Sequence, residues 1–312
     1  MAGVAGLVTP AVAQERYPSR PVRMILPVGV GGLTDAVGRI LAERMGGVLG
    51  TPMVPENVVG AGSTLGALAL LRSPADGYAI MTVTNNHPVM QALYPNFPYD
   101  PVTAFSPIAL TTRQAFLLTV HPDVPARDMP TFLAWLRQQK DAVNFGAGTP
   151  GTTNNMAAEL LKHTMGLEFT IVPYRTSPAA VQDLVAGRVQ AMIETPTLMG
   201  PLVQAGQLRA LAISSAERSD AWPDVPTLRE SGVTDFDVTA WQAMLVRPET
   251  PPAMQAALRQ AAVEVLADPV TKERLSRIGV EIWPDTSPEA ATAHMRAEVA
   301  RWLPLAARMR PG

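Results

Sequence analysis

The amino-acid sequence predicts an α/β protein of two lobes, each a mostly parallel sheet flanked by helices, with two extended crossover strands as the hinge. Three observations predict it. Short β-rich runs alternate with amphipathic helical stretches through most of the chain, the pattern of βαβ units. The alternation restarts once, after a Pro-rich stretch from Pro95 to Pro107. Two long runs, 108–120 and 236–246, are each extended enough to pass from one lobe to the other. A chain of 312 residues also exceeds one typical core and suits two domains.

Taken in order, residues 22–27 (VRMILP) read as a buried strand. Over 34–45, Val37, Ile40, Leu41 and Met45 fall on one helical face, with Thr34 as the cap. Residues 53–59 form a second strand, the glycine-rich 60–66 leads into a helix through Leu71, and 78–83 form a third strand. The run 108–120 is either one extended strand or two. Beyond it, a helix over 130–140 leads to a strand at 143–145, and a helix over 152–165 to a strand at 169–174. Ser177-Pro178 supplies a cap and a first-turn proline for the next helix, which Gly187 closes. Strands follow at 189–193 and 208–214, then a short helix near 227–231. In the helical tail, Thr250-Pro251 and Ser287-Pro288 are helix starts. The lobes then divide as 17–108 plus 243–312, and 109–242, behind a leader of residues 1–16.

Composition excludes several function classes. Lys+Arg is 25 and Asp+Glu is 27, a net charge of −2, and the basic residues form no run or stripe that would grip a phosphate backbone, so no nucleic acid partner is expected. The absence of cysteine removes disulfides, thiolate catalysis and Cys-ligated metal. The four histidines, His87, His121, His163 and His294, show no metal-ligand spacing, so neither metal nor cofactor is expected. Residues 1–14 (MAGVAGLVTPAVAQ) are small and apolar, and Ala11-Val12-Ala13 is an A-x-A cleavage pattern leaving Gln14 as the mature terminus. This stretch reads as the remnant of an export signal, against a disordered leader. Nothing else approaches the roughly 18 apolar residues of a membrane span.

Chemistry concentrates in three glycine-rich loops, each after a strand and before a helix: 28–34 (VGVGGLT), 60–66 (GAGSTLG) and 146–153 (GAGTPGTT). In open α/β sheets ligands bind outside the carboxyl ends of the strands, where helix N-termini offer unpaired N–H groups and the positive end of the dipole. Glycine lets an anion approach the backbone, and Thr34, Ser63, Thr64, Thr152 and Thr153 add uncharged donors, so such loops suit a carboxylate or phosphate. A purely steric turn explains any one of them; three in equivalent positions favour a shared anion site between lobes. The candidate set is Val28, Gly31, Gly32, Thr34, Asp35, Ala61, Gly62, Ser63, Asn85, Gly148, Thr149, Gly151, Thr152, Thr153, Glu194 and Trp241. Asp35 is a general base or a helix-N-terminal acid that orders its loop; Glu194, ending a strand, should point into the cleft. Trp241, on the return crossing, either walls the ligand or packs in the core. The spacing Gly60-x-Gly62-x-x-x-Gly66 is one residue too long for a dinucleotide fingerprint, and no phosphate-binding P-loop or nucleophile elbow occurs.

Several strings resemble the periplasmic receptors of tripartite tricarboxylate transporters, the Bug (TctC-like) family. They are Tyr17-Pro18-Ser19-Arg20-Pro21-Val22-Arg23 leading to Gly31-Gly32-Leu33-Thr34-Asp35, then Glu56-Asn57-Val58-Val59-Gly60-Ala61-Gly62 and Pro74-Ala75-Asp76-Gly77-Tyr78. Further on come Val172-Pro173-Tyr174-Arg175, Leu184-Val185-Ala186-Gly187-Arg188-Val189, and the most specific, 221–232 (AWPDVPTLRESG), with Trp241 and 247–251 (RPETP) behind it. The resemblance implies a two-lobe, type II-like periplasmic binding protein fold. It also implies that the loops Val28 to Asp35 and Gly148 to Thr153, with Ala61 to Ser63 beside them, pin a ligand carboxylate through amides, hydroxyls and water. This sequence departs from the family with Val28-Gly29-Val30 where prolines are usual, Thr149 where glycine is usual, and Arg175-Thr176 where Lys-Gly is frequent, which bears on ligand identity.

The expectation is therefore a monomeric periplasmic receptor, not an enzyme, that closes on a small organic carboxylate and delivers it to the membrane permease subunits of such a transporter. Dicarboxylates, amino acids, aromatic acids and tricarboxylates all fit. Two alternatives stand beside it: a sensor receptor read by a signalling partner, and a doubly wound enzyme using Asp35 or Glu194 as base.

Overall fold

The computed structural model describes residues 17–93, 97–219 and 221–306; the proposed export-signal remnant lies outside them. The first sheet has six strands in the order β11-β4-β10-β3-β1-β2, where β1 is Val22–Leu26, β2 Met53–Asn57, β3 Ala79–Thr84, β4 Ser106–Ala115, β10 Thr239–Val246 and β11 Glu281–Ile282. The second has five in the order β7-β6-β8-β5-β9, with β5 Leu117–Val120, β6 Asn144–Gly148, β7 Thr170–Tyr174, β8 Ala191–Glu194 and β9 Arg209–Ile213.

Both sheets are mixed, not mostly parallel. β1 runs parallel to β2 and β3, and β6 to β7 and β8, as the βα alternation predicts. The crossing strands account for the rest. β10 returns antiparallel to β3 and β4, β11 adds antiparallel to β4, and β5 is antiparallel to β8 and β9. A strand that brings the chain back from another lobe needs no βαβ crossover and can enter in either sense.

Each sheet is covered on both faces, and strand alternation sorts the side chains. On β1, Val22, Met24 and Leu26 pack toward α1 (Leu33–Leu49) and α8 (Pro252–Ala267), while Ile25 joins the core under α2 (Thr64–Arg72) and α10 (Pro288–Ala306). In the second sheet, Leu118, Val120 and Phe145 face α4 (Met129–Gln139) and α5 (Thr153–Thr164). Leu117 and Met192 face the opposite way, toward α6 (Ser177–Val185) and α7 (Pro196–Gln204). The remaining helices are α3 (Asn86–Leu93) and α9 (Pro269–Ser276). Among the described residues no helix is long and apolar enough to cross a membrane.

The run 108–120 is two strands. The first sheet keeps it through Ala115, past the 108/109 boundary expected from sequence, and the chain changes sheet at Phe116. The return is likewise already in the first sheet at Thr239. Ser214, fully buried, ties the two crossings together: Phe116 N–H donates to its Oγ at 2.8 Å, Ser214 N–H donates to Phe116 O at 2.9 Å, and its hydroxyl donates to Val238 O. The helix expected near 227–231 is a turn instead, closed by Thr227 N–H to Glu230 Oε2 and Glu230 N–H to Thr227 Oγ1. Thr34 does not cap α1; Gly32 occupies that position, and Thr34 lies inside the first turn.

Candidate functional site

A cavity of about 310 Å³ opens between the two sheets, at the carboxyl ends of their parallel strands. Val28 follows β1, and Thr84 and Asn86 sit at the end of β3. Gly148 and Thr149 finish β6, Tyr174 and Arg175 finish β7, and Glu194 and Thr195 finish β8. The crossings supply its floor through Phe116 and Ala240.

Five helices begin at this cavity, α3 with Asn86 and four others. Leu33 and Thr34 of α1, Thr152 and Thr153 at the start of α5, Ser177 of α6 and Thr195 before α7 all line it. None of the four N-termini is capped by a side chain. By contrast α4 and α9, which start elsewhere, carry Asp128 and Asp268 as caps. Apart from Asn155 N–H, which Asn154 Oδ1 accepts, the first-turn N–H groups of these four helices have no side-chain acceptor, and with the positive ends of four dipoles they converge on one space.

The loops are braced from below. Asp35 is buried and accepts from Gly31 N–H at 2.9 Å, from Arg39 Nε at 3.0 Å on both oxygens, and from Asn57 Nδ2 at 2.8 Å. Asn57 Nδ2 also lies 3.0 Å from Val28 O, so one network fixes both ends of the first loop. Burial alone would raise the Asp35 carboxyl, but Arg39, the Gly31 amide and Asn57 together hold it below the usual carboxylate range. A carboxylate so fully engaged orders the loop and has no lone pair to spare as a base.

In the second lobe Asn154 plays the equivalent part. Its Oδ1 lies 3.3 Å from Gly148 N, 2.7 Å from Thr152 Oγ1 and 2.9 Å from Asn155 N, and its Nδ2 donates to Glu194 Oε2 at 2.8 Å. The other Glu194 oxygen accepts from Thr195 N–H at 2.8 Å. Gly148 has no room for a side chain: a Cβ would stand 2.5 Å from Thr152 Oγ1 and 2.8 Å from Asn154 Oδ1.

Of the residues nominated from sequence, the structure brings Val28, Thr34, Gly148, Thr149, Thr152, Thr153 and Glu194 together around the cavity. Gly31 and Gly32 lie on the exposed arc between them and Asp35. Gly151 is buried inside the β6–α5 turn at φ +89°, a conformation that favours glycine. Ala61, Gly62 and Ser63 form a short 3-10 turn behind the cavity wall, where Ser63 Oγ receives the Asn86 amide at 2.7 Å. Nine of the sixteen nominations are not lining residues, and two of these, Asn85 and Trp241, are buried away from the cavity. Asn85 is buried, donates to Thr239 O at 2.7 Å and accepts from Trp241 N–H at 3.0 Å, while its neighbours Thr84 and Asn86 do the lining. Trp241 points away from Ala240's side of β10 into the core and donates to the buried Glu298 at 3.1 Å. Sequence reasoning missed Leu33, Thr84, Asn86, Phe116, Asn154, Tyr174, Arg175, Ser177, Thr195 and Ala240 as lining residues; most of them sit at the ends of β3, β7 and β8 or on the crossings, where no glycine-rich loop marks the site.

A larger cavity, about 450 Å³, lies on the opposite side of the crossings, where Ala115 and Thr239 line it in place of Phe116 and Ala240. Its arginines are already matched: Arg113 to Glu281 at 3.1 Å, Arg218 to Glu230 at 2.9 Å, Arg301 to Glu298 at 3.2 Å. It is larger than the interlobe cavity, but no helix N-terminus opens into it. The smaller one holds the unpaired donors and is the candidate site. Among the described residues no group of three or more His, Cys, Asp or Glu could hold a metal ion.

Comparison with known proteins agrees with this fold. The sequence profile of the "Tripartite tricarboxylate transporter family receptor" (TctC) matches residues 37–309. The chain is similar in structure to a Rhodopseudomonas palustris protein, Rpa4515, solved with adipate: TM-score 0.83 and 30% identity, over 93% of this chain and 98% of that one. It is similar to the periplasmic binding protein BugD, at TM-score 0.80 and 31% identity, over 93% and 97%. MatC of R. palustris, solved with bound malate, superposes at TM-score 0.81 and 29% identity, over 93% and 100%.

Proposed function

The chain belongs to the TctC family of tripartite tricarboxylate transporter receptors, periplasmic solute-binding proteins rather than enzymes, and from that membership we propose that it captures a small organic carboxylate between its lobes and delivers it to membrane permease subunits. One observation carries the ligand class: four helix N-termini without side-chain caps converge on the interlobe cavity. A full negative charge is the group such a place rewards. The relatives solved with adipate and with malate hold ligands of this kind.

The lobes, built around the two sheets, close about the two crossings next to Ser214. One lobe meets the anion first, the N-termini of the other complete the cage, and the permease reads the closed form. Hydrogen bonds to a charged group contribute roughly 1.5–3 kcal/mol each, so about four supply much of the −8 kcal/mol or so of a micromolar receptor. No buried arginine is required. The protein works as a monomer in the periplasm.

Calorimetry with a panel of acids and their methyl esters tests this reading. The acids bind, the esters fail, and small-angle scattering shows a smaller monomer with acid present. Equal affinity for acid and ester would sink the anion cage, and an unchanged scattering profile would sink the closure.

A further inference from the structure

The cavity is lined by two ionised side chains, Glu194 and Arg175, and their states differ. Glu194 is engaged on both oxygens, by Asn154 Nδ2 and by Thr195 N–H. Arg175 is exposed and has no ion pair or hydrogen bond among the described residues. The acid that holds its neighbour Tyr174 is already paired: Asp183 accepts from Tyr174 Oη at 2.7 Å and from Arg188. Arg175 therefore stands at the cleft as a cation with no ion pair, between Tyr174 and Ser177, which both line the same space, while Glu194 across the cavity is held by the neutral Asn154 and Thr195 donors.

We propose that Arg175 receives a second anionic group of the ligand, so that the cleft selects short dicarboxylates over monocarboxylates. This rests on the reading of the cleft as a carboxylate site. The first carboxylate occupies the N-terminus of α5, at Thr152 and Thr153, beyond the end of β6. β7 is the parallel neighbour of β6, with Gly148 paired to Tyr174, and Arg175 is the next residue. Neighbouring strand ends lie roughly 5 Å apart, so the two anion sites are about one short aliphatic chain from each other. A guanidinium presents a planar fork that takes both oxygens of a carboxylate, where an ammonium offers a point charge. The volume, about 310 Å³, sits at the small end of ligand pockets and suits a compact diacid.

The test uses the intact protein and matched probes: succinate, glutarate and adipate against butyrate, valerate and hexanoate, in each pair a carboxylate replaced by a methyl group. By calorimetry the wild type binds its best diacid at least tenfold tighter than the matched monoacid. Arg175→Gln brings that ratio below about threefold, because the diacid loses more affinity than the monoacid, and Arg175→Lys keeps part of the ratio. The side chain is exposed and makes no contact that folding needs, so circular dichroism and melting should match the wild type. A wild type that does not distinguish diacid from monoacid, or an Arg175→Gln protein that keeps the full ratio, overturns the proposal and leaves the carboxylate reading standing. Failure of all six acids to bind overturns both.

Discussion

Replacing Asn154 with aspartate alters one contact and keeps the others. Its Oδ1 can still accept from Gly148 N, Thr152 Oγ1 and Asn155 N, but the donor that meets Glu194 Oε2 at 2.8 Å becomes an oxygen. Two unit charges at that distance repel by about 6 kcal/mol at an effective dielectric of 20. The pair need not bear this, because two carboxylates sharing a site take up one proton. Protonating a carboxyl of reference pKa near 4 costs about 4 kcal/mol at pH 7 and about 1.4 kcal/mol at pH 5, which caps the penalty at each pH. The folded variant holds a proton that the unfolded chain releases, so its stability falls as pH rises above about 4 and the deficit is larger at pH 7. At roughly 2–4 °C per kcal/mol, melting should drop by about 8–16 °C at pH 7 and about 3–6 °C at pH 5 in scanning calorimetry. Adding Glu194→Gln restores a donor to the pair and should recover most of the loss at pH 7. If the two substitutions simply add, or if the deficit is the same at both pH values, Asn154 and Glu194 are not coupled as the geometry requires.

Other expectations follow from the same framework. Thr153→Asp places a carboxylate on the first residue of α5, where it favours the helix but occupies the ligand's place; binding of acids should fall more than tenfold with melting unchanged or raised. An aspartate at Gly151 would be a poorer probe, because its φ of +89° would add backbone strain to the charge. Ser214→Ala leaves the Phe116 N–H and the Val238 carbonyl unpaired in a buried hinge, and urea unfolding should register a loss of roughly 2–4 kcal/mol. His87 is fully buried, donates Nε2 to Pro101 O at 2.9 Å and offers Nδ1 no partner; burial pushes its pKa down to about 4, against upward pulls from the Pro101 carbonyl and then Asp100. Because the unfolded chain binds a proton that the native state refuses, stability should fall by about 3 kcal/mol as pH drops from about 6.5 to 4. His87→Phe should flatten that slope whatever it does to stability at pH 7.

The sequence disclosed most where local rules act alone. The helical face Val37, Ile40, Leu41, Met45 lies within α1, and the glycine loops before α1 and α5 do border the cavity. Two helices escaped notice, α3 and α7. Both are short and carry prolines, Pro88 in one, Pro196 and Pro201 in the other, which read as loop punctuation until packing overrides them. The sheet-changing residue was hidden because 108–120 has no glycine or proline to mark the break, and most of both strands is buried whatever the face. Trp241 and Asn85 show the limit for the site. Strand alternation sends Ala240 to the cleft and Trp241 to the core, so a nomination one residue off lands on the wrong side. Arg175 was visible as a departure from the family pattern; the pairing of β7 beside β6, which gives it a place at the cleft, is tertiary information.

The sheet order also dictates a sequence of assembly. β10 sits between β3 and β4, yet it is synthesised only after every strand of the second sheet, Leu117 through Ile213. Until Thr239–Val246 is available, β3 and β4 have no partner on their facing edges, while the second sheet is one continuous stretch of chain. Those edges are open backbone that other chains can pair with. Closing them demands contacts across more than a hundred residues of intervening chain, the slow kind. In refolding, the second lobe should gain amide protection first, and β3 and β4 should remain exchangeable until β10 zips between them.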